Sequence, residues 1–187
     1  VDKIEPLVGL LNYLKDEDIN YLILGQGSNL LISDEGFDGL VIRITGNELP
    51  KIIPVGDKFH LEIEAGLSLS AAVNFAAQNS LGGLSWGIGV PGTVGGAVRG
   101  NAGAMGKDAS SILQWVEVWR DGEILKLSVS ECGYGYRNSN FKHNQDVILR
   151  ACICLEAGDK QEIMAKMQEY LKQRRHTPFP SAGSFFK

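Results

Sequence analysis

"YLILGQGSNLLISDEGFDGLVIRI", residues 21–44, holds the pattern from which the rest of the chain can be read. Apolar runs at 21–24 and 40–44 bracket a segment of Gly, Ser, Asn and Asp. A plain turn needs one or two such residues. Here Gly25-Gln26-Gly27-Ser28-Asn29 follows directly on a strand-like run. Consecutive backbone N–H groups in a tight Gly/Ser turn form an anion nest. The missing Cβ atoms of Gly25 and Gly27 let a phosphate approach closely, and Ser28 and Asn29 add side-chain donors. A solvated hairpin connection is the competing reading of the same residues. The segment is not the dinucleotide fingerprint G-x-G-x-x-G, because the third Gly and the following helix are missing. No Walker G-x-x-x-x-G-K-[ST] occurs either.

The 187 residues suffice to bury a core and to form one or two domains. A hydrophobic share of 44% and a charged share of 21% are those of an ordinary globular chain. The net charge of −4 weighs against a broad nucleic-acid surface. No apolar run approaches the roughly 20 residues that a membrane-spanning helix takes. The first residues, "VDKIEPLVGLLNYLKDED", are amphipathic and unlike a signal peptide. The chain lacks an initial Met and stops abruptly at "SAGSFFK", so both ends read as cut. Cys132, Cys152 and Cys154 are an odd set without C-x-x-C spacing, which reads against a disulfide framework or zinc site and for a reducing cytoplasm. Cys152 and Cys154 lie two apart in a strand-like run and are expected to be buried free thiols on one face. His60, His143 and His176 show no metal-ligand spacing, and no metal is expected. Nothing here fixes the oligomeric state.

Along the chain, Ile4, Leu7, Val8, Leu11 and Leu14 predict a helix over 3–16. Strands at 21–24 and 40–44 complete a small α/β unit ending near Gly46–Pro50. A second unit follows. "KIIPV" and "FHLEIEAG" read as strands, and "SLSAAVNFAAQNSLGG" reads as a helix that Ser68 or Ser70 caps and Gly82 stops. "WVEVWRDGEILKLSV" reads as a hairpin turning at Asp121-Gly122, with Trp115 and Trp119 on one face. "SECGYGYRNSNF" reads as a loop or short helix, "DVILRACICLEAG" as a strand and "DKQEIMAKMQEYLKQRR" as a helix stopped by Pro178 and Pro180. The expected division is 1–48, 49–158 and 159–187.

Glycine is unusually abundant: 23 residues, well above the usual share of about 7%. Much of it lies in "GGLSWGIGVPGTVGGAVRGNAGAMG", residues 82–106. With few apolar side chains to anchor it, this block reads as a long functional loop that wraps a flat ligand at backbone distance. Together the two glycine segments suggest an extended ligand with a phosphate part and a ring part.

At this point a resemblance becomes specific. "ILGQGSNLLISDEGFDGLVI" and "GIGVPGTVGGAVRGNAGAMG" resemble the two FAD-binding signatures of the UDP-N-acetylenolpyruvoylglucosamine reductase family. "YGYRNSNFK" and "PSAGSFFK" resemble two further motifs of that family, in the same order. The resemblance implies an α+β fold: an FAD-binding domain of the vanillyl-alcohol-oxidase type, built from two α/β subdomains. It implies non-covalent FAD as cofactor, NADPH as co-substrate and a UDP-sugar as substrate, with no nucleic-acid or membrane partner. It places Gly25, Gln26, Gly27, Ser28, Asn29 and Leu30 at the diphosphate. It places Pro91, Gly92, Thr93, Val94, Gly95, Gly96, Asn101, Ala102 and Gly103 along the cofactor. Arg137 matches the family arginine set against the substrate carboxylate and developing enolate, with Tyr136 beside it, and Ser184 matches the proton-donating serine. Without the motifs, Arg137 reads as a surface residue and Ser184 as a cap.

Some features depart from the family pattern. Its C-terminal catalytic glutamate has no counterpart here, because the family continues past "FFK" into a substrate-binding domain. Gln26 replaces a usual Gly, Tyr134 stands where Phe is frequent, and the run before Ser184 is short. The Lys172–His176 cluster reads as a cationic helix end, or else as a phosphate contact. Four readings therefore stand: a reductase of this family in truncated form, an FAD-binding module without turnover, an oxidase of the wider flavin group, and a non-flavin anion-binding domain.

Overall fold

The computed structural model describes residues 1–46 and 48–174. The expectations on Pro178, Pro180, His176 and Ser184 therefore lie outside the described residues.

Helix α1 spans Ile4–Asp16, and its stripe of Ile4, Leu7, Leu11 and Leu14 is buried. It ends as Asp18 turns to a positive φ of 51°, and the chain enters strand β1, Tyr21–Leu24. Strand β2, Leu40–Arg43, pairs with β1 in parallel. This excludes the hairpin reading of the opening segment. Parallel neighbours need a crossover of a dozen or more residues, and residues 25–39 provide it without a helix. Val1 lies along the other side of β2: its amino group donates to Arg43 O at 2.8 Å, and Thr45 N donates to its carbonyl at 2.9 Å.

The second unit is a six-stranded antiparallel sheet with helices on one face. In chain order it comprises β3 (Lys51–Val55), β4 (Lys58–Glu64), α2 (Leu69–Gln78), β5 (Leu81–Gly82), α3 (Val94–Gly100), β6 (Gly103–Ala104), β7 (Lys107–Asp108), β8 (Leu113–Arg120), β9 (Glu123–Ser128), β10 (Val147–Ala157) and α4 (Lys160–Arg174). The sheet order is β3-β4-β10-β8-β9, with β5 added on β10, while β6 and β7 form a separate small hairpin. The β8–β9 turn has Asp121 and Gly122 at φ 50° and 98°, as a two-residue hairpin loop prefers. Leu61, Ile63, Val116, Val118, Ala151 and Ile153 face helices α2, α3 and α4 in the larger core.

Strand β10 also serves a second core. A bulge at Leu149, between the pairs Ile148–Val118 and Arg150–Glu117, shifts the alternation of the strand. Val147 and Leu149 thereby join Trp119 on the opposite face, against the buried stripe of α1 and Ile42. The Trp119 indole N–H donates to Asn12 Oδ1 at 2.8 Å, which satisfies its one donor inside this contact. Trp115 shares that face, as alternation requires, but lies past the cover of α1 and carries Lys126 Nζ 3.7 Å from its ring centroid.

Three expectations change. Ser68 caps α2, accepting from Ala71 N at 3.1 Å, but the helix ends at Asn79, whose side chain donates to Phe75 O at 2.8 Å. Gly82 is paired in β5 instead. The second glycine block is not a structureless loop: it forms a short 3-10 turn at Ser85–Gly87, then α3, and buries Trp86, Val94, Ala97 and Val98 in the larger core. Small residues let α3 pack closely, which its composition disguised. Arg174, in the cationic last turn of α4 as expected, folds back to donate to Trp86 O at 3.1 Å. Of the three thiols, Cys132 and Cys152 are buried but Cys154 is partly exposed.

Among the described residues, no helix is long and apolar enough to cross a membrane. Burial pushes both the Cys132 and Cys152 thiols up to about 11, so neither forms appreciable thiolate at pH 8. A disulfide reagent applied to the folded protein at pH 8 is expected to modify Cys154 and to reach the other two only after denaturation. Rapid labelling of all three positions would contradict the packing described here.

Candidate functional site

A cleft of about 540 Å³ lies between β1 and the start of α3. Its first wall is the free edge of β1. Leu40 N donates to Asn20 O and Ile44 N to Leu24 O, at 2.9 and 2.8 Å, so the even-numbered backbone groups of β1 face β2. In a parallel ladder, alternate residues point the other way. The backbone groups of Tyr21 and Ile23 therefore face the cleft, which both residues line. Of the predicted residues, Gly25, Leu30, Thr93, Gly95 and Gly96 line it too.

The two glycine segments differ in what they can offer a ligand. Among the described residues, the amides of Gly25, Gln26, Gly27, Ser28 and Asn29 donate to no hydrogen bond. They are free for an anion. Four amides of the second segment are already used. Gly92 N donates to Gln26 Oε1 at 3.1 Å, Val94 N to Leu67 O at 2.9 Å, Gly95 N to Ala65 O at 2.9 Å and Gly96 N to Thr93 Oγ1 at 3.2 Å. This segment can contribute a smooth wall of bare Cα atoms but few donors. Val94 turns its side chain into the core, and Pro91 is exposed just before the Thr93 cap.

Asn101, Ala102 and Gly103 do not line the cleft. They lie at the other end of α3, about 10 Å along a helix of seven residues. Asn101 caps α3 with φ 43° and is 2% exposed. Its carboxamide is consumed inside the protein: Nδ2 donates to Gly135 O at 2.9 Å, and Oδ1 accepts from Ser110 N at 3.0 Å. Gly135 opens a tight turn, closed by the Gly135–Asn138 bridge, that carries Tyr136 and Arg137 at its tip. Arg137 sits at φ 53° and donates from Nη1 to Asn101 O at 3.3 Å and from Nη2 to Gly103 O at 2.5 Å. Its guanidinium lies 5.2 Å from the centroid of the Tyr136 ring, which is 71% exposed. The structure thus joins residues 101–103 to Arg137 and joins residues 25–30 to residues 92–96, as two neighbouring clusters.

Several cleft residues were missed by sequence reasoning. Arg99 lines the cleft, donates to Phe141 O and remains partly exposed, while partial burial lowers its pKa from the ordinary value. Its one signal was a charge standing inside a run of glycine and small residues. Asp146 lines the other end, buried and held by the Arg120 fork at 2.8 and 2.7 Å. Tyr21 has its phenol pushed up by burial and by the nearby charges of Asp121 and Asp146. Outside the cleft, Tyr134 stacks edge-on against Phe141 with ring centroids 6.3 Å apart, its hydroxyl lies beside the Cys132 thiol, and burial holds the phenol far above its usual range.

Residues 1–128 match the family described as the FAD binding domain. The chain is 40% identical, over 98% of its length, to the UDP-N-acetylenolpyruvoylglucosamine reductase of Caldanaerobacter subterraneus subsp. tengcongensis, and covers 61% of that protein. It superposes with a TM-score of 0.81 on the crystal structure of UDP-N-acetylenolpyruvylglucosamine reductase from Thermus caldophilus, at 34% identity, covering 100% of this chain and 66% of that one. It also shares its fold, with a TM-score of 0.60 at 17% identity, with a VAO-type flavoprotein from Myceliophthora thermophila, covering 84% of this chain and 31% of that one. The chain therefore spans about three fifths of the length of the curated relatives it matches. With a parallel β1–β2 pair, a six-stranded antiparallel sheet and a glycine-walled cleft between them, the chain belongs to the FAD-binding domain family.

Proposed function

We propose that this chain is the FAD-binding part of a cytoplasmic, NADPH-dependent UDP-N-acetylenolpyruvoylglucosamine reductase. The whole enzyme reduces the enolpyruvyl group of UDP-N-acetylglucosamine enolpyruvate to UDP-N-acetylmuramate, a step of peptidoglycan-precursor synthesis. The observation that carries this reading is the 40% identity to a reductase of that name over nearly the whole chain. We divide the chain for this purpose into FAD-binding subdomains at 1–48 and 49–158, with 159–187 leading towards a substrate domain.

The cleft fits a dinucleotide. Gly25 in the cleft, and Gln26, Gly27, Ser28 and Asn29 next to it in sequence, supply free amides for a diphosphate, and Thr93, Gly95 and Gly96 supply a wall without bulky side chains for the rest. The chemistry that a bound flavin supplies is hydride transfer, taken from NADPH and handed to the enolpyruvyl double bond. The residues of the chain do the remainder. Arg137 holds the substrate carboxylate and stabilises the enolate charge that develops on it; a guanidinium stays charged at any working pH and matches a carboxylate fork. The carbonyls of Asn101 and Gly103 hold that guanidinium in place. Ser184 would return the proton, from outside the described residues.

A second reading, an FAD-binding module without turnover, is favoured by the 61% coverage of the relatives. Removing catalytic groups while keeping cofactor contacts removes transition-state stabilisation and leaves binding.

Purified protein is expected to show a flavin absorbance band that survives gel filtration and is released by heat. Gly25→Val is expected to weaken FAD binding at least tenfold while preserving the far-UV circular dichroism, because a Cβ there falls 2.7 Å from Thr93 Oγ1. A folded wild-type chain that stays colourless after soaking in FAD would sink the reading. In a full-length form of the enzyme, Arg137→Ala is expected to keep FAD and its bleaching by NADPH. Re-oxidation by the enolpyruvyl sugar should then fall by roughly 100-fold or more, the scale of losing an electrostatic stabiliser. Unchanged re-oxidation would remove Arg137 from this role.

A further inference from the structure

One hydrogen bond and two close approaches bring the two glycine segments together beside the cleft, which Gly25 and Thr93 line. Gln26 Oε1 accepts from Gly92 N–H at 3.1 Å. A Cβ on Gly25 would fall 2.7 Å from Thr93 Oγ1, and one on Gly92 would fall 3.2 Å from Ser28 Oγ. One side of this seam is fixed. Gly92 O accepts from Leu69 N at 3.0 Å, Val94 N donates to Leu67 O at 2.9 Å, and Thr93 forms a bridge with Ser68, the cap of α2. The other side is not fixed by backbone bonds, since the amides from Gly25 to Asn29 have no partner among the described residues. Among those residues, the Gln26 carboxamide is the one polar tie from the 25–30 loop to the rigid side.

We infer that Gln26 is a strap beside the cleft, tying the loop that carries Gly25 to the segment that carries Thr93, and that it sets the rate at which FAD enters and leaves. The inference rests on the FAD reading of the cleft. A glycine or alanine at position 26 has no atom that can take the Gly92 proton, so the strap belongs to the side chain and not to the backbone turn. The bond is neutral and exposed, so water competes for both partners and the strap can open without assistance. When closed it holds Gly25 against Thr93, and Ser28 against Gly92, narrowing the passage beside the cleft. Opening precedes entry, and reclosing over the cofactor slows escape. Both rates therefore depend on the same bond, while the affinity, a ratio of the two, depends on it weakly.

The test compares wild type with Gln26→Gly and with Gln26→Asn, whose carboxamide is one methylene too short to reach. Stopped-flow quenching of FAD fluorescence reads association, and recovery of that fluorescence on large dilution reads dissociation. In both variants the two rates are expected to rise about three- to tenfold, the scale of one neutral hydrogen bond, with Kd changed by less than about threefold. Hydrogen exchange of the Gly92 amide in the cofactor-free protein should accelerate by a similar factor. Equal FAD rates in all three proteins would overturn the gating role while leaving FAD binding intact. An unchanged Gly92 exchange rate would overturn the strap itself. A wild type that takes up no FAD would bring down the functional reading and the gating with it. The Asn variant keeps a carboxamide of nearly the same bulk, so the comparison survives if the Gly variant fails to fold.

Discussion

Strand β10 is buried on both faces for much of its length, and the two faces belong to different cores. Ala151, Ile153 and Leu155 pack under helices α2, α3 and α4. Val147 and Leu149 pack with Trp119 against α1. The bulge at Leu149 allows this, because a regular alternation could not send Leu149 and Ala151 to opposite sides. Burying a large apolar side chain contributes about 1.5–3 kcal/mol, so the shared strand is a strong tie between the two units. It also fixes β1 across from α3, and the cleft is the space left between them.

Within that frame the two glycine segments take opposite parts. In the first, the amides have no partner among the described residues, a costly arrangement in a buried loop but a natural one at the rim of an anion site. In the second, each of four amides has found an internal acceptor, which fixes the start of α3 and leaves only bare backbone to meet a ligand. Donors on a loosely held loop and a smooth surface on a rigid one suit a ligand that is charged at one part and flat at another. The Gln26 carboxamide crosses between them.

The Arg137 cluster shows how a charged group is positioned without an acidic partner. Two backbone carbonyls, Asn101 O and Gly103 O, receive the guanidinium, and the Asn101 side chain holds the turn that carries it through Gly135 O. Carbonyl dipoles orient the cation without neutralising its charge. The full charge remains available to an incoming carboxylate, whereas a salt bridge would already have spent part of it. This arrangement links the C-terminal end of α3, at one side of the cleft, to the residue proposed to act on substrate.

The amino-acid sequence by itself determined the local pieces and the class of ligand. Apolar spacing of 3.6 placed α1, alternation placed β4, β8 and β9, Asp121-Gly122 placed the β8–β9 hairpin, and the four motifs in order pointed to a flavin-binding fold. These are signals written into neighbouring residues. The tertiary structure alone decided the rest. The parallel pairing of β1 with β2, the free edge of β1 in the cleft, the use of Arg99 and Asp146 there, and the role of Asn101 as a buried hub all depend on partners far away in the chain. The second glycine block looked like a loop because Gly and Ala carry little hydrophobic signal. Close packing of small residues nevertheless buried it as a helix, since what drives that packing is the fit of the surfaces it meets.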